Sequence, residues 1–279
     1  MDQSELLSML RKRALGVRQS ILEMAGSTDS SHAVSALSEV EILVTLFGAV
    51  LRHDPGDPTW PERDRFILSK GHGCEGLYAV LALSGYFDPA ELKTYKKFQS
   101  KFPGHPNRLS LAGVEASTGA LGHGLSLGVG MALASRMGPH RYRVFVLMGD
   151  GELNEGQVWE AAMLAAHFGL ENLVAIVDRN GLQNDGPCAT ILNTEPLLEK
   201  WKSFRWEPCC CDGHNFEELL SALRSIPLKT GKPSVIIART VKGKGVSFLE
   251  NRFELHNTQY SQEQITRALA EVAESEGSR

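Results

Sequence analysis

The chain has 279 residues, 42% of them hydrophobic and 22% charged, with a net charge of −4 and a pI near 6.2. This is the composition of a soluble globular protein without a basic footprint, which argues against nucleic acid as a partner and gives no sign of a membrane surface. No apolar run approaches the roughly 18 residues of a spanning helix. The start MDQSELLSMLRKRALG does not read as a leader, and the five cysteines form no Cys-x-x-Cys pair, so the expectation is a cytoplasmic protein with reduced thiols.

In chain order, Leu6, Leu10, Ala14, Val17 and Ile21 recur at three- and four-residue steps and predict an amphipathic helix from Ser4 to Ala25. A polar loop with His32 follows. Ser38 and Glu41 have capping-box spacing and predict a helix through Leu51. After Asp54-Pro-Gly-Asp-Pro breaks the chain, RFILS predicts a short strand that delivers Lys70, Gly71, His72 and Gly73 to its end. Helices are expected from Glu75 to Leu83 and after Asp88-Pro89, where Glu91 would reach back to the cap. KFPGHPNR presents His105 in a proline-glycine loop. The glycines from 119 to 130 allow a helix over Gly124–Arg136 only if it packs closely on another backbone.

The stretch Tyr142–Gly186 organises the rest. RVFVLM is an apolar run of strand length ending in Gly149-Asp150-Gly151. An amphipathic helix follows, with Val158, Ala161, Ala162, Ala165 and Phe168 on one face, and LVAIVDRN returns as a second strand ending at Asn180. Parallel strands joined by a right-handed crossover bring their carboxyl ends to one edge, so Asp150 and Asn180 should face the same crevice. One carboxylate, one amide oxygen and the Leu182 carbonyl make a hard, weakly charged donor set. Such a set suits Mg²⁺ or Ca²⁺ shared with a phosphate-bearing ligand. Gly151 permits close backbone approach, and the helix after it offers free N–H groups to a diphosphate.

Residues 194–204 and 215–226 read as helices, SVIIAR as a buried strand, and KGKGVSFLENRFELHN as a loop carrying His256. Ser261 and Gln264 cap a terminal helix ending near Glu274, with EGSR frayed beyond it. Strands alternating with helices imply one doubly wound, mostly parallel α/β domain over residues 1–279. Four histidines, His32, His72, His105 and His256, lie in glycine-rich or polar loops, where imidazole is placed for ligand contact or proton transfer. His53, His140, His167 and His214 read as structural, and His123 fits either class.

The Gly-Asp-Gly…Asn spacing resembles the thiamine-diphosphate motif. LSKGHG, FPGHPN, STGALGHGLSLGVGMALA, the segment from GDGELNEG to LQNDG, and KGKGVSF resemble, in order, successive segments of transketolases. The likeness runs from about Leu6 to Val272 and covers only the family's amino-terminal, thiamine-diphosphate-binding domain. It implies a second polypeptide bearing the pyrimidine-binding and carboxy-terminal domains, with two copies of each chain. It further implies transfer of a two-carbon ketol unit from a ketose or ketose phosphate to an aldose. By resemblance, Asp150, Asn180 and the Leu182 carbonyl hold the metal, while His72, Gly151, Asn180 and His256 meet the diphosphate. Gly119 and Leu121 meet the aminopyrimidine side, and Glu155 joins a carboxylate network between sites. His32, His72, His105 and His256 face the sugars. Ser31-His32-Ala33-Val34 and Leu255-His256-Asn257 depart from the family's His-Pro-Gly and Trp-His-Gly, and both departures fall on the substrate side. The alternatives are the α subunit of a 2-oxoacid dehydrogenase, which the four loop histidines fit poorly, and a non-catalytic cofactor-binding module.

Overall fold

The computed structural model of the chain describes residues 2–277. Five strands form one sheet: β1 (Arg65–Leu68), β2 (Val144–Gly149), β3 (Leu173–Arg179), β4 (Glu207–Asp212) and β5 (Ser234–Arg239). All pair in parallel, in the order β1-β2-β3-β5-β4. The α-helices are α1 (Gln3–Gly26), α2 (Ala33–Leu37), α3 (Val40–Thr45), α4 (Cys74–Leu83) and α5 (His123–Met137), then α6 (Gly156–His167), α7 (Cys188–Ile191), α8 (Leu197–Ser203), α9 (Phe216–Arg224) and α10 (Gln262–Gly277).

The central strands are runs of Val, Ile, Leu, Phe and Ala because both sheet faces are covered. Successive side chains alternate, so Phe145, Leu147, Val174, Ile176 and Ile236 enter one core, packed with α1, α4, α9 and α10. Val144, Val146, Leu173, Ala175 and Val235 enter the other, packed with α5, α6 and α8. The steps β1→β2, β2→β3 and β3→β4 run in one direction with α5, α6 and α8 on the second core. The return step β4→β5 carries α9 on the first. Changing face with direction is what right-handed crossovers require. The carboxyl ends of β1, β2, β3 and β5 therefore share one edge, where α/β sheets bind ligands.

The close packing expected of the glycine-rich helix is present: a Cβ on Gly124 would strike the Ser69 side chain, and one on Gly128 would lie 2.6 Å from Val146 Cγ2. Other expectations need correction. The edge strand β4 is absent from the sequence expectations, since EPCCCD shows no alternation and only Cys211 at its inner end is buried. Ser38 opens no helix and stands instead at the C-terminal end of α2. The backbone starts α2 at Ala33 and reorganises at Ser38, whose hydroxyl donates to Asp178 at 2.5 Å, while Glu41 takes Arg18 at 2.6 Å instead of a cap amide. Asp88 does cap, accepting the Ala90 N–H at 2.9 Å, but the segment Pro89–Thr94 is a 3₁₀ turn and Glu91 pairs with Lys101. The helix expected from Thr194 starts only after Pro196. Of the frayed end expected for EGSR, Glu276 and Gly277 belong to α10, and Ser278 and Arg279 lie outside the described residues.

Candidate active site

β2 ends at Gly149, and the turn after it carries Asp150, which is 4% exposed. Its Oδ1 accepts the Gly151 N–H at 2.9 Å and its Oδ2 accepts the Gly181 N–H at 2.6 Å, which ties the end of β2 to the end of β3. Asn180 Oδ1 accepts the Leu182 N–H at 3.1 Å, so the three expected metal-ligand residues lie on two turns in direct contact. Burial, then the nearby charge of Asp178, push the Asp150 carboxyl up to about 6.

The four loop histidines converge, although they stand at positions 32, 72, 105 and 256. Ring centroids are 5.0 Å apart for His72 and His256, 5.3 Å for His32 and His256, 5.6 Å for His32 and His72, and 6.1 Å for His32 and His105. Gly119 lies against the His105 ring. Burial, reinforced by Lys96, lowers His32 to about 4. Burial and Lys242 lower His256 to about 3, and burial and Lys70 carry His72 well down. At neutral pH these are uncharged imidazoles, able to donate from one nitrogen and accept at the other. The Nδ1 of His32 is buried without a protein partner.

The remaining histidines stay outside this cluster. His53 stacks on Tyr86, His167 packs on Phe168, and exposed His140 lies 3.8 Å from Glu62. His214 bridges Glu41 and the Val241 N–H. His123, exposed on α5, turns to the Leu121 carbonyl at 3.2 Å. Glu155 is exposed at the start of α6.

Two lysines are functional candidates that sequence reasoning does not single out. Lys70, 2% exposed, contacts Asp178 closely, Glu39 at 2.9 Å and the Ser35 carbonyl at 2.9 Å. Ser38 and Thr240 also donate to Asp178. Burial opposes ionisation of Asp178, but Lys70 and these hydroxyls hold its carboxyl below the usual range. Burial pushes Glu39 up to about 8 in spite of Lys70, so the cluster at neutral pH is one ion pair plus one carboxylic acid. Lys242, also 2% exposed, reaches Ser35 Oγ at 3.2 Å and His256 Nδ1 at 3.1 Å, with no carboxylate in ion-pair contact among the described residues. Burial, then Lys70, lower it to about 8. A buried ammonium that touches His256 and has no carboxylate partner suits an anion such as a diphosphate. Both lysines sit in glycine-rich segments that ordinarily read as solvated, so only their burial marks them.

A family described as "Transketolase, thiamine diphosphate binding domain" matches residues 11–273. The chain belongs to the transketolase family. It is 44% identical to an apulose-4-phosphate transketolase subunit of Actinobacillus succinogenes, over 94% of this chain and 95% of that one. It is 42% identical to a 6-deoxy-6-sulfo-D-fructose transketolase subunit of Clostridium sp. strain MSTE9, over 96% and 97%. The solved transketolase of Campylobacter jejuni superposes with a TM-score of 0.89 at 33% identity, covering 95% of this chain and 43% of that one. The chain thus spans less than half of that transketolase while matching the two transketolase subunits nearly end to end. Membership sets aside the 2-oxoacid dehydrogenase and non-catalytic readings, and the α/β thiamine-diphosphate-binding fold agrees with the sheet described above. Among the described residues no helix is long and apolar enough to cross a membrane.

Proposed function

We propose that this chain, over residues 1–279, is the diphosphate-binding subunit of a two-chain transketolase that moves a two-carbon ketol unit from a ketose to an aldose. The observation that carries the reading is the convergence of His32, His72, His105 and His256 beside Lys242 at the carboxyl edge of the sheet. When bound, thiamine diphosphate supplies the carbanion and electron-sink chemistry. The chain's own residues bind and orient. Asp150, Asn180 and the Leu182 carbonyl are the oxygen donors for Mg²⁺ or Ca²⁺, and Gly151, His72, His256 and Lys242 receive the diphosphate. Gly119 and Leu121 border the aminopyrimidine side through main chain. The uncharged imidazoles then donate to carbonyl oxygens from one nitrogen or exchange protons with hydroxyls at the other.

Of the two relatives compared above, one is named for a sugar phosphate and the other for a sulfo-sugar, and we place this chain's substrate among such anionic sugars. Its partner is a second chain with the pyrimidine-binding and carboxy-terminal domains, assembled as two copies of each, because two-fold symmetry prevails among oligomers. Five free cysteines support a cytoplasmic, reducing setting. Product analysis tests the reading: the assembled enzyme given ketose and aldose should yield an aldose shortened by two carbons and a ketose lengthened by two. Decarboxylation of a 2-oxoacid without ketol transfer would refute it.

A further inference from the structure

One buried carboxylate at the histidine cluster has no role in the scheme above. Glu75 lies in the first turn of α4 and is fully buried, with no cation in ion-pair contact among the described residues. A buried carboxylate without a counter-ion is costly unless hydrogen bonds replace its water. A helix N-terminus favours an acidic residue, but among the described residues Glu75 accepts no amide of α4. Its bonds leave the helix. Oε1 accepts the His32 N–H at 3.1 Å, the Ser31 hydroxyl at 3.1 Å and the Tyr95 hydroxyl at 2.8 Å, and Oε2 faces the Cys74 thiol at 3.7 Å. Two of the donors to Oε1 thus belong to the loop that carries His32.

Around His32 these bonds form a relay. The Ala33 N–H, which a proline at that position would lack, donates to Ser31 Oγ at 3.0 Å, and the Ser31 hydroxyl donates onward to Glu75. Ser31 also exchanges both main-chain bonds with Thr258, at 2.9 and 3.1 Å, two residues beyond His256. One carboxylate therefore holds Ser31 and His32 directly and Ala33 through Ser31. The His32 ring has no such support, since its Nδ1 is buried without a protein partner. The ring is free to meet a ligand, and its direction is set by the main chain that Glu75 holds. Its place matters, because the rings of His256, His72 and His105 stand 5.3, 5.6 and 6.1 Å away. One turn along α4, the Tyr78 hydroxyl lies 2.9 Å from the Pro103 carbonyl and 3.1 Å from that of His105, so the second loop hangs from the same helix by a separate contact.

We infer that Glu75 is a positioning residue for His32, holding its imidazole where ketol transfer needs it. This rests on the ketol-transfer reading, and the test has one arm that does not. In the assembled enzyme, Glu75→Ala should lower kcat at least tenfold, because a misplacement of about 1 Å can cost about a hundredfold in rate. Thiamine-diphosphate affinity should change less than twofold, and Glu75→Gln, whose amide oxygen still accepts, should recover most of the loss. In a His32→Ala background, Glu75→Ala should change kcat less than twofold, since it acts through that ring. A tenfold loss in that background as well would make Glu75 a general support of the fold and overturn the inference. If Glu75→Ala does not fold, Ser31→Ala is the milder variant and should show the same dependence on His32 with a loss of about threefold or more. The second arm uses this chain alone and follows the histidine ring protons by NMR. Glu75→Ala and Ser31→Ala should displace the His32 signal and leave those of His53, His140 and His167 in place, whereas Tyr78→Phe should displace His105 and not His32. An unmoved His32 signal in the Glu75 and Ser31 variants overturns the inference even if transfer is never observed. A displaced signal without any transfer sustains the positioning of His32 and counts against the activity reading alone.

Discussion

The carboxylate of Asp150 accepts the Gly181 amide at 2.6 Å, so the turn after β2 and the turn after β3 are held as one unit. That contact sets Asp150 beside Asn180, whose own oxygen faces the Leu182 amide. If this pair holds a divalent cation against a diphosphate, Asp150→Ala should weaken cofactor binding by tenfold or more, about 1.4 kcal/mol at the least. Calorimetry on the assembled enzyme with Mg²⁺ present measures it. Unchanged thiamine-diphosphate affinity would remove Asp150 from the site.

The two carboxyls around Lys70 should behave in opposite ways. Removing the cation in Lys70→Met strands Asp178 as a buried charge and should destabilise the chain by about 3–5 kcal/mol. Glu39→Gln should be mild near pH 6, because Glu39 already holds its proton there. Its folded pKa is raised, so the contribution is complete below the ordinary carboxylate range and fades as pH rises through about 8. The stability of Glu39→Gln relative to the native chain should therefore climb between about pH 4.5 and 8, by up to about 1.4 kcal/mol per pH unit, and level off above 8. Urea unfolding at several pH values reads this directly, and a flat difference would mean that Glu39 is ionised throughout.

His105 and His72 should separate substrate from cofactor. His105 is exposed at the rim, whereas His72 lies inside the cluster against His256. His105→Ala is expected to raise the sugar KM or lower kcat with thiamine-diphosphate affinity nearly kept, while His72→Ala damages both. Equal loss of cofactor binding in the two variants would contradict that order along the row.

Legibility in the sequence follows the range of the interactions. Asp150 and Asn180 are readable because a βαβ unit fixes where adjacent parallel strands end, and the four histidines stand out in loops that no apolar periodicity explains. Ser38 looks like a cap in the sequence, but its hydroxyl is taken by Asp178, 140 residues away, and no local pattern carries that partner. Lys70 and Lys242 escape notice for the same reason, since their burial follows from Ser35, Glu39 and Asp178 closing over them. β4 leaves no periodic signal because an edge strand needs only one inward face, and Cys209–Cys211 lack the alternation that marks a half-buried strand.

On the reading proposed above, this chain supplies half of a catalytic site. On that reading the pyrimidine-binding domain, which covers the cofactor, lies on a different polypeptide. A closed site formed from two chains needs a large, lasting interface. The decisive measurement is two-carbon transfer, from a ketose phosphate to an aldose with Mg²⁺ and thiamine diphosphate, by the purified chain before and after adding the candidate second polypeptide. A folded, inactive chain that gains robust transfer on mixing is the expected result. Full transfer by the chain alone would contradict it.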